Sequence, residues 1–259
     1  MSGNGNSLEL PPSSDRSVKR VLVGIPLKGH TPPESYDDRM KMAYYMGGRE
    51  IEEKFRQMSP RYEFVWVSAG EIFISYAREM LADLALKYSC DYLFSVDDDM
   101  LAPMDLFYKL VARDVDIVSP LAFTRNPPHR PVMFSVVEGF DAVTRRQYYL
   151  NNPVNNYPRN KLVECDAVGF GAVLIKTEVL RRLKKPWFMG TMGCGEDVHF
   201  CVQAKKQGFR VFMDTAVKLG HLSHPVVVTE EYSDEYNKLS LEEKNKFYGF
   251  YNKYEEATA

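Results

Sequence analysis

Short apolar runs alternate with helix-period segments through the first half of the chain, and this alternation restricts the fold more than any other feature. Residues 20–27 (RVLVGIPL) are rich in Val, Leu and Ile and stop at Pro26 and Gly29. Such a run reads as a buried strand. Residues 62–67 (YEFVWV), 91–96 (DYLFSV) and 116–123 (DIVSPLAF) repeat the signal. Between them, residues 35–58 read as helical, with Gly47-Gly48 as a weak point. Residues 72–88 (IFISYAREMLADLALKY) carry apolar side chains at helical spacing, and a helix over 104–112 opens behind Pro103. Strands that alternate with helices pair in parallel through crossover connections, so the expectation is an α/β chain with a mainly parallel central sheet.

The second half is less regular. Residues 132–137 and 147–150 read as more exposed strands, and 151–161 (NNPVNNYPRNK) as a loop. Residues 163–175 read as one apolar strand region interrupted by Gly169 and Gly171. Helices are expected over 177–183 and 196–207, and a strand over 209–213. A last helix over 240–254 is opened by the capping box SLEE. No repeat or linker divides the chain. It is read as an N-terminal tail (1–17), one α/β domain (18–228) and a C-terminal helical extension (229–259).

The 259 residues are 45% hydrophobic and 26% charged, with a net charge of −2. A core is easily buried at this length, and without a basic excess nucleic acid is not the expected main partner. No apolar stretch approaches the roughly 18 residues of a membrane span. Residues 1–17 lack a signal-peptide pattern. The four cysteines form no CxxC pair, which suits small buried hydrophobes in a reduced, cytoplasmic setting.

Four stretches carry chemistry. In LFSVDDDM (93–100) a strand ends in Asp97-Asp98-Asp99. Ligands of open α/β sheets sit beyond the carboxyl ends of the strands. Carboxylates there can converge on a hard cation such as Mg²⁺ or Mn²⁺, or form a solvated acidic turn. An EF-hand is excluded, because its glycine position is Ala102. GFGAVLI (169–175) lets backbone approach a ligand closely, or marks a β-bulge. It is not a dinucleotide fingerprint, and no P-loop occurs. In GCGEDVHFCVQAKKQGF (193–209), Glu196-Asp197 either cap a helix or hold a general base at a glycine loop. GHLSHP (220–225) contributes His221 and His224, either of them an ordinary surface or core histidine. For His221 a role as nitrogen ligand to a metal is the alternative.

In this order, Asp97-Asp98-Asp99, Gly169-Phe170-Gly171, Gly195-Glu196-Asp197 and His221 resemble the motifs of the GT-A fold glycosyltransferases: DxD, glycine loop, xED and C-terminal histidine. The resemblance covers about residues 19–225, and its layout is similar to the family 2-type transferases. It implies a Rossmann-like α/β/α sandwich and transfer of a sugar from a nucleoside-diphosphate sugar to a hydroxyl acceptor, a glycan or glycolipid. It implies Mn²⁺ or Mg²⁺ held by Asp97, Asp99 and His221. Asp97, the variable Asp98, Pro26, Arg78, Gly169 and Gly171 then contact the nucleotide sugar. Asp197 matches the base of inverting members, with Glu196 beside it. Phe170 and Trp187 are candidates for the acceptor side, Trp187 because an aromatic beside a carboxylate suits a sugar, although it reads equally as a core or edge aromatic. FTRNPPHRP (123–131) is a candidate lid.

Three rivals remain on this reading. A retaining transferase would use Asp197 to bind the donor sugar. A nucleotidyltransferase would release pyrophosphate from a nucleoside triphosphate. A binding module of the same fold would take a nucleoside diphosphate without turnover. The aromatic, charged tail beyond 229 packs on the domain, mediates a homo-oligomer or touches a membrane peripherally, and its alternating Lys and Glu favour packing.

Overall fold

A computed structural model describes residues 18–27, 32–47, 61–70, 73–191, 193–223 and 226–244. The expected tail (1–17), residues 48–58 of the first expected helix, His224 and most of the last helix lie outside the described residues. The strands of the main sheet are β1 (Val18–Pro26), β2 (Arg61–Ala69), β3 (Tyr92–Val96), β5 (Ile117–Leu121), β8 (Leu162–Cys165), β10 (Ala172–Lys176) and β11 (Val211–Lys218). They lie in the order β2-β1-β3-β10-β5-β11-β8.

Helices cover both faces of this sheet, so its central strands β1, β3, β5 and β10 are near-continuous buried runs, while the edge strand β2 alternates. On one face Leu22, Leu93, Ile117 and Ile175 pack with α2 (Ile74–Lys87), α4 (Thr177–Arg182) and α5 (Glu196–Lys206). On the other face Val21, Val23, Phe94 and Leu174 pack with α1 (Pro33–Met46) and α3 (Leu106–Val111). Among the described residues no helix is long and apolar enough to cross a membrane.

The mainly parallel sheet expected from the sequence is in fact mixed. β1 pairs in parallel with β2 and β3, and β5 with β11. β10 runs antiparallel between β3 and β5, and β8 runs antiparallel on β11. The reason lies in the connection after β5. It contains no crossover helix, the device that returns a chain in the same direction. It runs instead into the hairpin β6 (Met133–Asp141) and β7 (Arg146–Pro153), then through β8 and β9 (Ala167–Val168). The apolar region expected over 163–175 is therefore three strands, and β9 belongs to a separate sheet with β6 and β7.

Three short strands, β4 (Met100–Leu101), β12 (Gly220–Ser223) and β13 (Val226–Val228), form a further sheet that the sequence reading lacks. Within the C-terminal extension, α6 (Glu230–Lys238) precedes the expected helix over 240–254, and Thr229 caps it by accepting the Tyr232 amide at 3.1 Å. The expected capping box is present: the Ser240 amide donates to Glu243 at 2.8 Å, and the Glu243 amide returns a bond to Ser240 Oγ at 3.3 Å.

Candidate functional site

The acidic turn follows β3 directly and is held from three sides by backbone bonds. The Asp97 amide donates to the Gly171 carbonyl at 2.8 Å, joining the turn to the glycine loop. A Cβ on Gly171 would sit 2.3 Å from Met100 Cε, so a bare backbone is what lets the two loops approach. From α1, Arg39 donates to the Asp98 carbonyl at 3.2 Å and Ser35 to that of Met100 at 3.1 Å. From β12, the Leu222 amide donates to the Asp99 carbonyl at 2.9 Å, and His221 pairs with Met100 across the β4–β12 ladder. This ladder brings His221 to the acidic turn.

Beyond these strand ends opens a cavity of about 640 Å³. Its lining includes Pro26, Arg78, Asp97, Asp98, Asp99, Gly169, Phe170, Gly171, Glu196, Asp197 and His221, so every candidate except Trp187 reaches one space. Phe73, Ile74, Arg125 and Asn126 also line it and were not singled out from the sequence. The Arg-Asn pair lies in the candidate lid, but the sequence does not say which of its two arginines, Arg125 or Arg130, reaches the site.

Arg78 is the keystone. It is 5% exposed, and its Nη2 lies 2.9 Å from both carboxylate oxygens of Asp97 and 3.2 Å from the Phe170 carbonyl. Its Nη1 donates to Glu196 Oε1. One guanidinium thus ties α2, the end of β3, the glycine loop and the start of α5. Burial works against its charge, but Asp97, Glu196 and Asp197 outweigh that and hold its pKa above the ordinary arginine value. Burial pushes the Asp97 carboxyl up, against the pull of Arg78. Asp197 is also pushed up, first by burial and then by Glu196, with Arg78 opposing. Its Oδ1 accepts the Val198 amide at 2.7 Å.

Asp99 faces the opposite side of the turn. Its Oδ2 pairs with Arg125 and lies 3.6 Å from His221 Nε2. His221 Nδ1 donates to the Phe123 carbonyl at 2.8 Å, which turns Nε2 toward Asp99. A carboxylate oxygen beside an oriented imidazole nitrogen suits a divalent cation that takes its other ligands from phosphate and water. Asp97 does not join them, because both its oxygens face Arg78. Among the described residues no group of three or more His, Cys, Asp or Glu side chains is placed to hold a metal. The expected three-residue ligand set is therefore not assembled, and two of its members remain together.

Two aromatic candidates are buried in the core, and of these only Phe170 also lines the cavity. Trp187 is 4% exposed, and its indole N–H donates to the carbonyls of Leu180 and Leu183 at 3.1 and 3.3 Å. Its backbone amide and that of Phe188 bond Glu79 at 2.9 and 3.0 Å. Phe170 is 2% exposed, with its ring 5.7 Å from Phe200 and 6.1 Å from Phe188. The Trp187 ring is turned away from the cavity into the core. Asp98 is 5% exposed, and its charge opposes the desolvation of the buried Arg39.

The fold and cavity define an α/β protein with a carboxylate-rich cleft at the ends of its central strands. No protein-family model matches the chain, and no curated protein matches it. The structure described as A197 from STIV is similar, with a TM-score of 0.51 at 20% identity over 81% of this chain and 93% of that one. That likeness concerns the fold alone. A structure of GalNAc-T7 with UDP, GalNAc and Mn²⁺ aligns at a TM-score of 0.46 and 12% identity over 78% of this chain. The alignment spans 42% of that chain, and a likeness this loose carries no argument.

Proposed function

We propose that this chain is a metal-dependent glycosyltransferase of the GT-A type, moving a sugar from a nucleoside-diphosphate sugar to a hydroxyl of a glycan, glycolipid or small molecule. The supporting observation is that four motifs far apart in the sequence line one cavity at the ends of the central strands. Asp99 and His221 are the residues that would hold Mn²⁺ or Mg²⁺. The cation would stabilise the negative charge that builds on the departing diphosphate.

The chain's own residues do the rest. Arg78 fixes Asp97 and Glu196, so these two orient the glycine loop and the start of α5 around the donor. Asp197 is the base. The acceptor oxygen bonds to the anomeric carbon as that carbon's bond to the phosphate oxygen breaks, and the electron pair leaves with the diphosphate. The acceptor proton passes to Asp197. Val198 occupies Oδ1, which leaves Oδ2 as the basic atom. Burial raises the basicity of this carboxylate above that of an exposed aspartate. This arrangement favours inversion at the anomeric carbon.

The test is transfer and donor hydrolysis over a panel of nucleotide sugars, with and without EDTA. Both chelation and Asp99→Ala should abolish turnover. Activity that survives both removes the metal from the proposal. Thermal melting with nucleoside diphosphates and Mn²⁺ identifies which nucleotide the donor carries, since a ligand at a hundred times its Kd adds about 2.7 kcal/mol.

A further inference from the structure

We infer that Arg125 is a built-in stand-in for the metal cation: it neutralises Asp99 while no cation is bound and moves to the donor's phosphates when one arrives. The inference rests on the metal and diphosphate reading above. Its consequence is that cation and nucleotide bind cooperatively, because each clears or fills the other's position.

Arg125 Nη2 pairs with Asp99 Oδ2, the same oxygen that His221 Nε2 faces at 3.6 Å. A guanidinium and a divalent cation at the same carboxylate oxygen repel each other, so the two compete for it. Arg125 is free to leave, since its side chain is 38% exposed. Among the described residues the other arginine lining the cavity is Arg78, and it is committed through both terminal nitrogens. The departing guanidinium remains within the cavity that would hold the diphosphate, and its planar fork of donors matches phosphate oxygens.

The loop is built for a moving side chain on a fixed backbone. Its stem is the Phe123–Pro131 bridge, and the Thr124 amide donates to the Arg130 carbonyl at 2.9 Å. His129 sits at its far side with Nδ1 donating to the Thr124 carbonyl at 3.1 Å. The His129 ring packs edge-on against Tyr232 and Tyr236 of α6, at 5.2 and 4.8 Å, and Ser233 Oγ donates to the His129 carbonyl at 2.7 Å. The C-terminal extension thereby holds the loop in place. Phe123, whose carbonyl orients His221, belongs to the same stem. Loop, histidine and Asp99 form one unit.

The experiment titrates the full chain with Mn²⁺ alone, reading free Mn²⁺ by electron paramagnetic resonance, and then measures UDP, GDP and ADP affinity at saturating Mn²⁺. Arg125→Ala should bind Mn²⁺ about tenfold more tightly than the parent without nucleotide. It should bind its nucleoside diphosphate about tenfold more weakly, as expected for linked sites. Arg130→Ala, which removes a charge from the same loop, should change neither by more than about twofold. Unchanged or weaker Mn²⁺ binding by Arg125→Ala overturns the inference, and so does equal tightening by Arg130→Ala, the mark of a general field. Asp99→Asn separates the two levels of argument. If it binds Mn²⁺ like the parent, or if the parent and Arg125→Ala both fail to bind Mn²⁺, the metal reading falls and the inference falls with it. If only the Arg125 effect is missing, the metal reading stands.

Discussion

Replacing Arg78 with Met removes the charge that compensates three carboxylates while keeping most of the side-chain volume. Breaking a buried ion pair costs roughly 3–5 kcal/mol, because the remaining partner stays desolvated and unpaired. Asp97 and Glu196 keep 24% and 16% of their side-chain exposure, so neither carboxylate is fully desolvated. The lower end, about 3 kcal/mol, is therefore expected. With a urea m-value of about 3 kcal/mol/M for a chain of this size, the midpoint should fall by about 1 M. The loss should depend on pH. Asp97 and Asp197 already titrate above ordinary carboxylates through burial, and without Arg78 both rise further. A native carboxylate with a raised pKa binds more protons than its unfolded counterpart near 3.9. Stability then falls as pH rises through the raised value, more steeply in the variant. Urea unfolding at pH 5 and pH 7 reads this directly: the deficit should be smaller at pH 5, and adding Asp97→Asn should restore part of it at pH 7. A deficit below about 1 kcal/mol, or one equal at both pH values, would refute the account of Arg78 as charge keystone.

Asp197→Asn should lower transfer by about 10²–10⁴ while donor affinity stays unchanged, and in the parent enzyme kcat/KM should fall on acidification at a pH above the ordinary aspartate range. Gly193 has φ of +88°, and a Cβ there would lie 2.4 Å from the Tyr149 carbonyl oxygen. Gly193→Ala should therefore cost about 2–3 kcal/mol, seen as a lowered melting temperature. Asp98→Ala should cost about 2 kcal/mol in urea unfolding, since it leaves the buried Arg39 without its nearby negative charge, and should spare turnover per folded molecule.

The positions of the candidate residues were legible in the sequence where the signal was local. A strand that ends in carboxylates announces where its side chains emerge, and Asp97–Asp99 do line the cavity. Helix α5 begins at Glu196, as the glycine-acid pattern requires. Legibility failed where two readings look alike in one dimension. Trp187 beside a glycine loop is the same string whether the indole meets a sugar or the Leu180 and Leu183 carbonyls. Asp98 reads as a variable middle residue, yet burial and Arg39 give it a structural part. The short β4 and β12 carry too few residues for any periodicity, though their pairing is what brings His221 to Asp99.

By itself the sequence determined the α/β class, most element positions and the residues that gather at the strand ends. Apolar periodicity and turn chemistry act over a few residues and survive without a fold. The tertiary structure decided the direction of β10 and β8, and the division of labour within the acidic turn. Asp97 is committed to Arg78, while Asp99 is left to His221 and Arg125. These outcomes depend on which charges end up a few ångströms apart, and Coulomb forces follow distance in space rather than spacing along the chain.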